Sequence, residues 1–369
     1  MYFNLIIISI NIVLYFIIMS SRRISVKKKN NLFLVISFFI IGFLMATRTY
    51  STGTDTEMYV RVFNRFSQLK WESSIIGNYY EPLYIVLNIL LSYISNNPRI
   101  LIVATSVFIS FSFYIFIRNN SKDSLISVIM FICLLFIYGA MNTIRQYIAM
   151  SIILLGFSFV KKKKILPYII TVIIAYLFHS SALVGIIIYP MYNMKYSHTR
   201  VILIFATALL ANIFVSGLIN NIYNIIGRTN YYSYRVGQEN IANLIYMIVY
   251  FAMYIFSLFE MKKSKKTNMH SGFYLYTFVM SSAFSLIAMN LNVLARATTY
   301  FNIFSIVCLP NVISENIHTE KNRVLVNLII IMIFVLYSSI IIKFRPEWNT
   351  AFNYKNCIFS TEQSTFYNN

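Results

Sequence analysis

Long apolar runs separated by short lysine-rich loops restrict this chain more than any other feature. The runs cover residues 2–20, 32–47, 82–95, 100–117, 124–140, 146–160, 165–178, 181–192, 200–219, 241–260, 271–290, 297–313 and 323–342. Several reach the ~20 residues that a helix needs to cross a bilayer, and a few have only about 11–15. Only 11% of residues are charged and 58% are hydrophobic, against about 25% charged in a soluble domain. The expected fold class is all-α: a polytopic integral membrane protein with about 11–13 hydrophobic helical segments, short or re-entrant ones included.

The first run, Tyr2–Met19, lacks a basic stretch before it and carries its positive charges after it, so it reads as a helix that stays in the membrane. The net charge of +20 would suggest nucleic acid in a soluble protein. Here most lysines crowd into "SRRISVKKKN", "RNNSKDS", "KKKK", "NMKYSHTR", "KKSKKTN" and "HTEKNR", which is positive-inside patterning and places these loops in the cytoplasm. No nucleic-acid partner is expected. Three crossings between the first two basic loops would leave the second on the wrong side. The weakest of the three, 82–95, opens with Pro82 and is short, so it is expected to be a half-helix, re-entrant or lying against the outer face.

This bookkeeping gives the outer face residues 48–80, "MNTIRQ", "HSS", the loop 220–240 and "NLNVLAR". These places carry Arg, Tyr and Asn where the inner loops carry Lys. A guanidinium fork suits a multiply oxygenated anion. Residues 1–342 read as a single polytopic membrane domain, and 343–369 as a short polar C-terminal tail, weakly ordered. Three cysteines without pairing spacing and four histidines without ligand spacing point to no disulfide framework, no metal site and no cofactor.

Polar residues at the outer borders are the candidates for chemistry. Asp55, one of two Asp in the chain, reads equally as a general base beside Arg48 and Arg61 or as a helix cap. Glu81 marks the other border of the same loop. Arg145 in "NTIRQYIAMSI" is costly at the head of a span unless it faces a cavity or a partner. His179 in "AYLFHSSALVG" could serve as base or hydrogen-bond donor, or be a satisfied interface residue. Arg228 and Arg235 are interleaved with tyrosines, as in sugar binding or an aromatic interface belt. Arg296 opens another span, in a snorkelling position. A face with several arginines, few acids and no metal-ligand cluster fits a lipid-linked phosphate or diphosphate sugar.

The stretches "TRTYSTGTDTEMYVRVF", "YYEPLYIVLNILLSYISNNPRI", "NTIRQYIAMSIILLGFSFVKKKKILPYIITVIIAYLFHSSALVGI" and "LARATTYFNIFSIVCLP" resemble the EpsG family, a branch of Wzy-like membrane polysaccharide polymerases. The likeness covers about residues 32–313; the region 214–245 matches no pattern of the family. It implies an all-helical membrane glycosyltransferase with GT-C-like architecture, and its motif positions fall on Arg48, Asp55, Tyr59, Glu81, Arg145, His179 and Arg296. It also implies assembly of exopolysaccharide, capsule or O-antigen from undecaprenyl-diphosphate-linked oligosaccharides on the outer side of a bacterial cytoplasmic membrane. Asp55, Arg145, His179 and Glu81 would then be catalytic; Arg48, Tyr59, Arg296, Arg228 and Arg235 would bind substrate. Expected partners are the lipid-linked oligosaccharide, the bilayer, a flippase and a chain-length regulator. The rival readings are a flippase or transporter of lipid-linked sugars and an O-antigen-ligase-like transferase.

Overall fold

The computed structural model describes residues 2–69, 80–226, 240–264, 271–291 and 293–358. Arg228 and Arg235 lie outside the described residues. The chain is all-helical, and among the described residues β-pairing is limited to an isolated bridge between Arg48 and Asn356. The helices are α1 (Tyr2–Ser20), α2 (Val26–Ala46), α3 (Thr56–Leu69), α4 (Pro82–Ile94), α5 (Arg99–Asn120), α6 (Ser124–Cys133), α7 (Phe136–Asn142) and α8 (Ile144–Lys161). They continue as α9 (Ile165–Tyr176), α10 (Ile188–Asn193), α11 (His198–Ile226), α12 (Asn240–Ser264), α13 (Ser271–Ala288), α14 (Val293–Asn302), α15 (Ser305–Asn316) and α16 (Glu320–Phe344).

Among the described residues seven helical stretches are long and apolar enough to cross a membrane: α1, α2, α5, α8, α12, α14 with α15, and α16. The pair α6 and α7, bent by 53°, makes an eighth if counted as one span. Four more apolar helices are shorter, α4 among them. At 1.5 Å per residue its thirteen residues extend about 20 Å, less than the ~30 Å hydrocarbon core. The bend between α6 and α7 has neither proline nor glycine. Leu135 supplies it by adopting a left-handed backbone, φ 65°, which a bulky residue accepts only when its surroundings over-determine it.

The chain forms two compact units. The first comprises Met1–Ser158, Ile169–Leu183 and Leu325–Asn369. Here α2 packs against α5, and at Gly42 an added Cβ would stand 2.8 Å from Ser110 Oγ and 3.1 Å from its Cβ, so Ser110 would have to shift. A buried polar chain joins α7, α1 and α16: the Tyr138 hydroxyl donates to Asn4 Oδ1 (3.2 Å), and Asn4 Nδ2 donates to Ser338 Oγ (3.0 Å). Asp123 caps α6, accepting from Ile126 N–H at 3.1 Å, and its other oxygen accepts from Asn327 of α16 at 3.0 Å.

Over 345–358 the expected weakly ordered end is a folded return. Phe352 meets Tyr138 edge-on at 5.0 Å and Tyr354 stacks on Phe3 at 4.0 Å. Cys357 N–H donates to Thr47 O (2.7 Å) and Thr49 N–H donates to Lys355 O (2.9 Å). These bonds satisfy backbone groups left open after α2, and the aromatic burial compensates the cost of ordering the segment.

The second unit comprises Phe159–Tyr168 and Val184–Val324. Helix α13 is its axis, with α10, α11, α12, α14 and α15 packed around it. Its last turn ends in side-chain caps: Asn212 Nδ2 donates to Leu286 O (2.6 Å), and Asn243 Nδ2 donates to Ala288 O (2.9 Å). Carbonyls at a helix end need such partners when water is absent.

Candidate functional site

The polar cluster of the first unit forms where α3, α4 and α8 begin. Helix α3 is amphipathic. Its buried face carries Tyr59, Val60, Val62, Phe63 and Phe66, while Arg61, Asn64, Arg65 and Gln68 are exposed. Tyr59, Phe63 and Phe66 join Tyr84, Ile85 and Ile89 of α4 and Ile144 and Ile148 of α8 in one apolar cluster. Burying that surface, at about 1.5–3 kcal/mol per large side chain, brings the three helix starts together and with them their polar residues.

Arg145, in the first turn of α8, forms an ion pair with Glu81, the residue before Pro82 at the start of α4. The guanidinium also lies over the rings of Tyr80 and Tyr84, 5.1 and 5.7 Å from their centroids, within cation–π range. A cation at a helix N-terminus opposes the helix dipole, and Glu81 offsets it. The second carboxylate oxygen of Glu81 accepts from Ser180 N–H at 3.3 Å, so both oxygens are engaged. The side chains are 13% and 18% exposed, which leaves the pair reachable from one side. Arg145 Nε has no hydrogen-bond partner among the described residues.

Tyr59 connects this pair to Asp55. Its phenol lies within electrostatic reach of the Arg145 guanidinium and of the Asp55 carboxylate. Burial first and Asp55 second push its phenol up to about 12, while Arg145 pulls the other way; Tyr59 is neutral at physiological pH. Asp55 stands immediately before α3, its carbonyl accepting from Tyr59 N–H at 3.0 Å. It is held from the other side as well, since its N–H donates to Asn142 Oδ1 at 3.0 Å. The approach needs Gly53. Its φ is +96°, and a Cβ there would stand 2.7 Å from Thr56 Oγ1 and 3.0 Å from the Met141 carbonyl oxygen.

His179 is buried. Its Nδ1 accepts from Ser181 N–H at 3.3 Å and lies 2.7 Å from Ser181 Oγ. A backbone N–H can only donate, so Nδ1 carries the lone pair and Nε2 the proton. In this tautomer the free ring position carries an N–H donor, and the adjacent Ser180 N–H ties the loop to Glu81.

Arg48, 1% exposed, follows α2. Its Nη1 donates to the Met45 carbonyl and to Ser106 Oγ (3.4 Å), while Nε and Nη2 have no partner among the described residues. Burial and the neighbouring Arg99 lower its pKa, and Tyr59 lies within its electrostatic reach. A guanidinium starts so high that it stays charged even so. Arg99 itself escaped the sequence reading. It donates to the carbonyls of Arg48 and Ala46 and lies 4.3 Å from the Tyr50 ring centroid. The available signal was the one used for its neighbours: an arginine, not a lysine, on the outer side of a span.

The structure thus gathers Arg48, Asp55, Tyr59, Glu81, Arg145 and His179 in one unit, and adds Tyr80, Tyr84, Asn142 and Arg99. Arg296, in α14, belongs to the second unit and is exposed. No curated protein and no solved structure matches the chain. A family model described as "EpsG family" matches residues 31–356, which takes in every residue of this cluster. The chain is a member of the EpsG family.

Proposed function

We propose that the protein is a polysaccharide polymerase that joins undecaprenyl-diphosphate-linked oligosaccharides on the outer face of a bacterial cytoplasmic membrane. Family membership supports a polymerase-type role in general; the carrier, the side of the membrane and the residue roles are our reading. A hydroxyl of one lipid-linked unit attacks the anomeric carbon of another. The new C–O bond forms as the bond to the diphosphate breaks, and undecaprenyl diphosphate leaves with the electron pair. Asp55 takes the proton of the attacking hydroxyl. Arg145 faces the leaving diphosphate, with Arg48 adding charge; Arg228, Arg235 and Arg296 are proposed to bind substrate. Glu81 positions Arg145, Tyr59 relays Arg145 to Asp55, and His179 donates through Nε2–H to a sugar or phosphate oxygen. Fixed donors aimed at the charge that develops on the leaving group lower the barrier without reorganisation.

The observation that carries this reading is the Arg145–Glu81 ion pair with Tyr59 within its electrostatic reach and Asp55 one helical turn before Tyr59, its carbonyl accepting from Tyr59 N–H at 3.0 Å. The test is purified protein in bilayer discs, supplied with lipid-linked repeat units. Longer chains in the wild type, and their absence in Arg145→Ala, support the assignment. Transbilayer movement with unchanged chain length would make the protein a flippase, and transfer only to a different acceptor would make it a ligase.

A further inference from the structure

The first unit contains an apolar groove that the reaction scheme does not use. It runs between α2 and α5, is about 520 Å³ in volume, and is lined by Phe38, Phe39, Phe43, Val103, Val107 and Phe111 among others. Gly42 and Ser110, also in its lining, face each other closely enough that a Cβ on Gly42 would stand 2.8 Å from Ser110 Oγ. Phe39, Val107 and Phe111 are exposed, so the groove opens to the hydrocarbon of the bilayer. From Val35 to Ala46 it follows α2 for about 17 Å, roughly half the thickness of a bilayer core.

The two ends of the groove differ. At the Val35 and Tyr114 end it meets a wide polar cleft with Lys27, Lys28, Arg118 and Lys122 in its lining. Those cations are exposed and hydrated. At the Ala46 and Val103 end it meets Arg99, whose Nη1 reaches the Ala46 carbonyl at 3.5 Å. Behind Arg99 stands Arg48, hydrogen-bonded to Ser106, one turn from the groove residue Ser110. Arg48 Nε and Nη2 and Arg99 Nη2 are buried without a hydrogen-bond partner, and no carboxylate pairs with either arginine among the described residues. A buried guanidinium, Arg48, and a half-buried one, Arg99, with idle donors and no carboxylate partner among the described residues are costly. An anion that accepts from both would remove that cost.

We propose that the α2–α5 groove holds the hydrocarbon of a long-chain polyisoprenoid diphosphate and that Arg99, backed by Arg48, binds its phosphate end. The inference deepens the proposed function and rests on that reading for the identity of the lipid. It adds Arg99 and the groove residues to the substrate site and divides the labour of the arginines. Glu81 already neutralises Arg145, so the uncompensated charge that holds the carrier lies at Arg48 and Arg99. The Tyr59 phenol lies within electrostatic reach of both Arg48 and Arg145.

The test is photolabelling of the full chain in bilayer discs with a diazirine-bearing polyprenyl diphosphate, mapped by mass spectrometry. Crosslinks are expected on Phe39, Phe43, Val107 and Phe111, displaced by unlabelled polyprenyl diphosphate but not by polyprenol or a zwitterionic phospholipid. Arg99→Gln is expected to lower labelling about tenfold at sub-saturating lipid. Val107→Trp, which fills the groove from its exposed side, should abolish labelling there, whereas Leu90→Trp on α4 should not. Equal competition by phospholipid would reduce the occupant to boundary lipid and overturn the proposal. So would labelling that ignores Arg99→Gln, or that falls instead in Lys27→Gln/Lys28→Gln. The outcomes separate from those of the polymerase reading. Groove labelling without chain lengthening leaves the lipid site standing and removes the polymerase. Chain lengthening at the wild-type rate in Val107→Trp and Arg99→Gln does the reverse.

Discussion

Arg145 and Glu81 are 64 residues apart in the chain and form an ion pair across the first turns of α8 and α4. The Tyr80 and Tyr84 rings lie against the guanidinium, and Ser180 N–H donates to the second Glu81 oxygen. Because each charge is the other's main partner, removing one leaves the second underpaired in a half-buried setting. Glu81→Gln and Arg145→Gln should each lower the thermal stability of the detergent-solubilised protein. The double variant should lose less than the sum, with a coupling of about 1–3 kcal/mol. Strict additivity would show that the pair contributes nothing.

Asp55 can act as a cap or as a base, and a single substitution separates the two. Asn keeps the capping geometry but cannot take a proton. Asp55→Asn should therefore leave the helical signal in circular dichroism unchanged and slow polymerisation about 10²–10⁴-fold. Near-normal turnover in this variant would return Asp55 to a structural role.

Gly53 places Asp55 against Asn142. Alanine there meets both a positive φ and contacts of 2.7 and 3.0 Å. Gly53→Ala should destabilise the protein by about 1–3 kcal/mol, and activity should fall further than stability because Asp55 moves. Thr54→Ala, at an exposed neighbour, serves as the comparison in the same melting and turnover measurements.

His179 offers Nε2–H while Nδ1 is held by Ser181. Glutamine can bring an amide N–H to the place of Nε2–H. His179→Gln should keep activity within about tenfold of wild type, and His179→Ala should lose about 10²–10³-fold, as for removal of one fixed donor. Equal inactivity of the two would rule out a donor at Nε2.

The Tyr59 phenol is raised to about 12 in the folded protein, against about 10 in an unfolded chain. Between these values the unfolded state has released a proton that the folded state keeps. The stabilisation is complete below pH 10 and is lost as the pH rises toward 12. Tyr59→Phe should therefore flatten the fall in melting temperature above pH 10 relative to wild type. An unchanged slope would mean that Tyr59 is not shielded from water.

The cluster was partly legible because the arguments that find it are local. An arginine at the head of a span is costly wherever the chain goes, so Arg48, Arg145 and Arg296 stand out in sequence, as does an Asp in a chain with two. Their partners were not legible. That Glu81 pairs with Arg145, that Nδ1 of His179 is an acceptor and that Arg99 lies beside Arg48 all depend on how apolar faces pack. The bend at Leu135 was hidden for a similar reason: no glycine or proline marks it, and packing imposes it.

The linear order of residues, on its own, determined the membrane class, the apolar segments and their breaks, and the list of polar residues at the segment borders. Those follow from transfer free energies summed over neighbours in the chain, which need no knowledge of contacts. Tertiary structure alone decided which polar residues meet, that 345–358 returns to cover the end of α2, and that a groove between α2 and α5 ends near two guanidiniums with no carboxylate partner among the described residues. Such features arise from interactions between residues far apart in the chain, where shape and burial determine which of the possible partners come within reach.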